Sequence, residues 1–158
     1  MNFSATIAAM RNGSKSESRR IAKPYHRPIF SPDGKAIVAV RSCRSDGGPT
    51  WIDRLLWEVG RTYAVQAGRH AKSEGRFRLE YIKHQMLQCI TEEEAIREGY
   101  EISISRQGVF KAPVQNFAQL WDEVHTRVAE QWCRNPYVWV LGIGAVTWRE
   151  REGLHFSR

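Results

Sequence analysis

The spacing of apolar and polar positions divides the chain into several short β-type runs and two helical stretches. Residues 35–41 enclose the run Ala36 to Val40 between two charges, which predicts a strand. Residues 62–66 predict a second, shorter strand. Over residues 76–87, Phe77, Leu79 and Tyr81 alternate with Arg76, Arg78 and Glu80, a period of two with one polar face. Residues 100–104 read as a weak strand. Residues 137–148 are apolar almost throughout and predict a strand in the middle of a sheet. Gly142 and Gly144 within that run predict a bulge or a close backbone approach.

Helical signals occur twice. In ITEEEAIREGY, residues 90–100, Thr91 is a good N-cap and Glu94 completes a capping box three residues on. Glu92, Glu93 and Glu94 fill the first turn, where the helix dipole favours negative charge. Gly99 can take the left-handed conformation that ends a helix. Residues 116–132 predict the main helix, capped by Asn116 with Gln119 completing the box. Its apolar stripe is Phe117, Leu120, Trp121, Val124, Val128 and Trp132. Residues 51–57 read as one or two helical turns. Strands and helices do not alternate regularly. That predicts an α+β fold with about five strands in a curled sheet or small barrel and two main flanking helices.

Composition changes this picture mainly at the N-terminus. Residues 1–50 carry nine Lys and Arg against three Asp and Glu, and the remainder carries fifteen against fourteen. Residues 1–24 lack periodicity and read as a basic, disordered arm, 25–148 as the domain, and 149–158 as a charged tail. The basic excess fits a phosphate-rich partner or simply a solvated arm. Three widely spaced cysteines, Cys43, Cys89 and Cys133, and five scattered histidines form no disulfide framework and no zinc-site spacing. No cofactor or metal is expected. A reducing, cytoplasmic compartment fits the cysteines, and no apolar run has the roughly 20 residues of a membrane-spanning helix.

Several segments in order carry a family resemblance: Gly60-Arg-Thr-Tyr-Ala-Val-Gln66, Gly75-Arg-Phe-Arg-Leu79, ITEEEAIREGY, Phe117-x-x-Leu-Trp-Asp-Glu-Val124, Trp132 and Asn135-Pro-Tyr-Val-Trp-Val-Leu141. Together they resemble an ASCH domain of the kind found in phage and bacterial genomes, across about residues 30–148. The resemblance implies a small PUA-like β-barrel whose cleft binds RNA or a modified nucleoside. Some small members hydrolyse the acetyl amide of N4-acetylcytidine, and nuclease activity is associated with others. The hydrolase-like members carry a GxKxxTxR-like strand and a Glu near the end of the short helix. Gly34, Lys35 and Arg41 can stand for the Gly, Lys and Arg of that pattern, with the spacing from Lys35 to Arg41 one residue too long. The Thr position then falls on Ala39, and Glu98 takes the helix Glu position.

From this reading the expected catalytic pair is Glu98 and Lys35. The expected ligand contacts are Lys35, Arg41, Arg69, Lys72, Arg76 and Arg78, with Tyr63 stacking a base. The expected function is RNA or nucleotide binding in a basic cleft. The alternatives are an amidohydrolase on an N4-acylated cytidine-type nucleoside, a ribonuclease, or an interaction module without catalysis. Arg76 and Arg78 equally fit a solvated sheet face partnered by Glu74 and Glu80, and Glu98 equally fits a surface position.

Overall fold

The computed structural model describes residues 7–45, 51–68, 70–104 and 110–149. Within them lie α1 (Ile7–Arg11), β1 (Glu17–Ile21), β2 (His26–Phe30), β3 (Ile37–Ser45), β4 (Trp51–Glu58), β5 (Thr62–Gln66), β6 (Ser73–Met86), α2 (Glu92–Arg97), β7 (Ser103–Ile104), β8 (Phe110–Lys111), α3 (Pro113–Val124) and β9 (Tyr137–Trp148). The fold is α+β, as the pattern predicts.

Seven strands form one antiparallel sheet in the order β1-β9-β6-β3-β2, with β4 added to β3 and β5 added to β6. Strands β7 and β8 form a separate pair. The expected barrel is not closed among the described residues. The reason lies at β3, which touches β6 through a single register pair, Ile37 with Ile82. From Ala39 onward β3 pairs with β4 instead, so the sheet forks.

The apolar run of β9 sits between β1 and β6, and Val138 to Ile143 are buried. Its two faces feed two cores. Val138 and Val140 pack with Leu87, Ile90, Ala95, Phe117 and Trp121 under α2 and α3. Trp139 and Leu141 pack with Val40, Leu79 and Ile82 on the other side. Each fully buried large apolar side chain contributes about 1.5–3 kcal/mol. The β6 alternation holds from Arg76 to Glu80, with Phe77 and Leu79 inward. Register shifts then fall between Phe77 and Tyr81.

Three expectations change. Residues 17–21 are not part of a disordered arm. They pair with β9 from Glu17 opposite Gly142 to Ile21 opposite Val138. Residues 51–58 are the strand β4, because β3 offers them an open edge. Helix α3 starts at Pro113, which fits the first helical position because its missing N–H costs nothing there. It ends at Val124, so Val124 and Val128 are exposed. The chain instead turns back, with Trp132 N–H donating to Asp122 Oδ1 at 2.6 Å, and Trp132 reaches the Phe117 ring by that turn. Asn116 does not cap; its side chain donates to Glu101 O and accepts from Ser103 Oγ.

Candidate functional site

Strand β1 reads Glu-Ser-Arg-Arg-Ile, and Glu17, Ser18 and Arg19 are all buried. A charged strand is held inside because its partners arrive from α2. Helix α2 forms for the local reasons expected: Thr91 Oγ1 accepts from Glu94 N–H, the Glu94 carboxylate reaches back to the Thr91 N–H, and Gly99 ends the helix at φ 94°. The helix docks through Ala95 onto the Phe117 core and leaves Glu94 and Glu98 facing β1.

Arg19 is the centre of the cluster. Its Nη2 donates to Glu94 Oε2 at 2.6 Å, and its Nη1 donates to Glu98 Oε1 at 3.2 Å and Glu17 Oε2 at 3.3 Å. Lys15 Nζ donates to Glu98 Oε2 at 2.6 Å and to the Glu98 carbonyl at 2.7 Å. A carboxylate at a helix C-terminus is disfavoured by the dipole, and the Lys15 ammonium offsets both it and the exposed carbonyl end. Glu17 accepts from Tyr81 Oη at 2.6 Å and Arg97 Nε at 2.7 Å. Gly142 permits the Tyr81 contact, since a Cβ there would occupy the Tyr81 ring.

The protonation chemistry follows from burial and pairing. Burial lowers the Lys15 pKa, and the Glu98 charge and hydrogen bond only partly offset it. For Glu17, burial pushes the carboxyl up, but the Tyr81 and Arg97 hydrogen bonds and the Arg19 charge together hold it below the usual range. Burial and the bond to Glu17 push the Tyr81 phenol well above its ordinary value. Lys15 also lines an open cavity of about 460 Å³, together with Arg11, Asn12, Glu80, Gly144 and Trp148. Glu98 does not line that cavity, and the chemistry the arrangement allows is proton exchange between the Lys15 ammonium and the Glu98 carboxylate.

Of the residues expected from sequence, Glu98 lies in this cluster, 4% exposed. Lys35 does not join it. It sits in the exposed turn before β3, with its N–H on Asp33 Oδ1, and among the described residues no ion pair links it to Glu98. Arg41 is half-exposed and pairs with Asp53 at 3.0 Å on the β3–β4 hairpin. Lys72 is exposed, and Arg76 and Arg78 share the exposed face of β6. Tyr63 is half-buried; its ring packs on Phe77 and its hydroxyl accepts from Glu58 N–H, so it belongs to the core rather than to a stacking surface. Arg69 lies outside the described residues, as do residues 1–6 of the expected arm and 150–158 of the expected tail.

The sequence reading missed Lys15, Glu17, Arg19, Tyr81, Glu94 and Arg97. A signal for Lys15 was available. Gly13-Ser-Lys15-Ser-Glu-Ser18-Arg-Arg20 keeps the GxKxxTxR spacing, with Ser18 in the Thr position and Arg20 in the Arg position, whereas Lys35 to Arg41 is one residue too long. Ser18 is 4% exposed and pairs with Leu141; strand alternation sets it on the face opposite Glu17 and Arg19. Among the described residues no group of His, Cys, Asp and Glu is arranged to hold a metal ion, and no helix is long and apolar enough to cross a membrane. A scan against models of known protein families returns no match, and searches of curated proteins and of solved structures return none either.

Proposed function

We propose that the protein is an ASCH, PUA-like domain that binds RNA or a nucleotide-like ligand, with the Lys15–Glu98 pair at its working site. One observation carries this reading. Lys15 and Glu98 lie 83 residues apart in sequence and meet at 2.6 Å. These are the two residue types that the resembled pattern requires, a Lys before its strand's hydroxyl and a Glu at the end of the short helix. The PUA-like relation belongs to the same proposal, with the forked sheet as an opened form of the barrel. Arg41, Lys72, Arg76 and Arg78 are exposed and would supply phosphate contacts of salt-dependent strength.

A second reading, hydrolysis of an N4-acyl amide on a cytidine-type nucleoside, is favoured by the lowered pKa of Lys15 beside the Glu98 carboxylate. Water would add to the acyl carbon. The amide C–N bond would break, and the proton lost by the nucleophile would pass through the Lys15–Glu98 pair to the leaving amine.

RNA affinity across a salt series and N4-acetylcytidine turnover, measured on wild type, Lys15→Met and Glu98→Gln, test both readings. Salt-sensitive RNA binding weakened in Lys15→Met, with folding checked by circular dichroism, is the expected result. Turnover in wild type that Glu98→Gln abolishes would establish the second reading. A wild-type protein showing neither binding nor turnover would overturn both.

A further inference from the structure

On the sheet face opposite the ion-pair cluster, aromatic rings gather where β6 and β9 run side by side. The register places His84 opposite Trp139 and Met86 opposite Tyr137. The Tyr137 and His84 rings stack at 5.0 Å with 18° between planes, and His84 lies 4.4 Å from the Trp139 ring. Their exposures differ sharply. Trp139 is 2% exposed, whereas Tyr137 is 53% and Met86 39% exposed. The outer rings therefore rest on a buried one.

The buried ring is fixed. Trp139 Nε1 donates to His26 Nδ1 at 3.2 Å, and the Lys23 N–H reaches the same nitrogen at 3.3 Å. A ring nitrogen that accepts two bonds carries no proton, so His26 is neutral with its proton on Nε2. The outer rim is fixed as well. Asn135 takes the left-handed conformation at φ 47°, its Oδ1 accepts from Gln88 N–H, and its Nδ2 meets Met86 Sδ at 3.9 Å.

A rigid, half-exposed pair of parallel rings with a thioether beside it suits a flat π-system better than an aliphatic partner. Charge narrows the occupant. Lys23 follows β1 beside Tyr137, where Ala22 N–H donates to Tyr137 O, and the exposed Arg134 precedes β9. The Lys23 ammonium is taken up by Glu130 on the α3 side, where Glu130 O accepts from Trp121 Nε1, which leaves Arg134, next to the Asn135 that touches Met86, as the cation at this rim among the described residues. A cation beside a ring platform matches a base with a phosphate next to it.

We propose that Tyr137, His84 and Met86 form a stacking platform for an unpaired base of single-stranded RNA, a site separate from the Lys15–Glu98 pair. The inference rests on the RNA-binding reading above. An unpaired base lays its face on the Tyr137 ring, and the strand's backbone runs past Arg134. A duplex, whose bases are already stacked and paired, gains nothing from this surface.

Fluorescence anisotropy with a labelled single-stranded RNA of mixed sequence, and with the same sequence as a duplex, tests it. Tyr137→Ala and Tyr137→Leu weaken single-strand binding about tenfold, within the span that base–aromatic stacking covers. Tyr137→Phe retains it, and duplex binding is unchanged in all three. Single-strand affinity unchanged in both Tyr137→Ala and Tyr137→Leu, while Lys15→Met weakens it, overturns the platform and leaves the RNA-binding reading standing. Wild type that binds neither RNA overturns both. A self-association of wild type in sedimentation that Tyr137→Ala abolishes, without RNA binding, assigns the patch to a protein contact and overturns the platform.

Discussion

Strands β1 and β6 both carry charges in alternation, yet they use them in opposite ways. On β1, Glu17 and Arg19 are fully enclosed and each is bonded to partners from other elements. On β6, Arg76 and Arg78 lie on the outer face and point to solvent. The difference is α2, which covers β1 and brings Glu94 and Glu98 to it, while among the described residues no helix covers the outer face of β6 at Arg76 and Arg78. The same local pattern is a structural and chemical centre in one place and a wetted surface in the other. What separates them is whether another element arrives with the opposite charge.

Removing Arg19 breaks this contrast most strongly. Arg19→Ala leaves Glu17, Glu94 and Glu98 buried without their shared cation, and stability falls by about 3–5 kcal/mol, the usual cost of orphaning a buried charge. Urea unfolding followed by tryptophan fluorescence reads this directly, and a loss below about 1 kcal/mol would place the cluster among weak surface pairs.

Acid titration sharpens the comparison next. The folded carboxyl of Glu17 titrates below its ordinary value of 4.5, so the stability it contributes is fully present above pH 4.5. It is lost as pH falls through the folded value, because the unfolded state then binds the proton first. Unfolding free energy measured from pH 6 downward, expressed relative to its value at pH 6, declines less steeply in Glu17→Gln than in wild type. Equal slopes would remove Glu17 from the account.

The smallest effect is expected on β6. Arg76→Ala and Arg78→Ala each change stability by no more than about 0.5 kcal/mol, as exposed substitutions do. If they contact phosphate, each reduces the salt dependence of single-stranded RNA binding by about 0.7 in the log–log slope. A large stability loss without any change in slope would reverse the roles assigned to the two strands.

Much of the fold was legible where neighbours in sequence decide it. The α2 capping box depends on Thr91 and Glu94, three residues apart, and it forms as read. The continuous apolar run of β9 signalled a central strand, and Gly142 marked the close approach that Tyr81 makes. Strand β1 was illegible by the same method. Its residues show no apolar alternation, and they look like a solvated arm until α2 supplies their counter-charges. The end of α3 was misread for a related reason: Trp132 belongs to the Phe117 core, but it arrives through a turn rather than along the helix.

The sequence by itself determined the α+β class, the short capped helix, the buried last strand and the presence of a Glu at the helix end. These rest on caps, turns and periodicities that act within a few residues. Only the tertiary structure decided that Lys15 rather than Lys35 meets Glu98, that Tyr63 is core, and that Tyr137 and His84 stack beneath open solvent. Those outcomes depend on the β1–β9 register, the bulges of β6 and the docking of α2. Each is a pairing between distant segments, set by the shared burial of both sides rather than by the residues of either one alone.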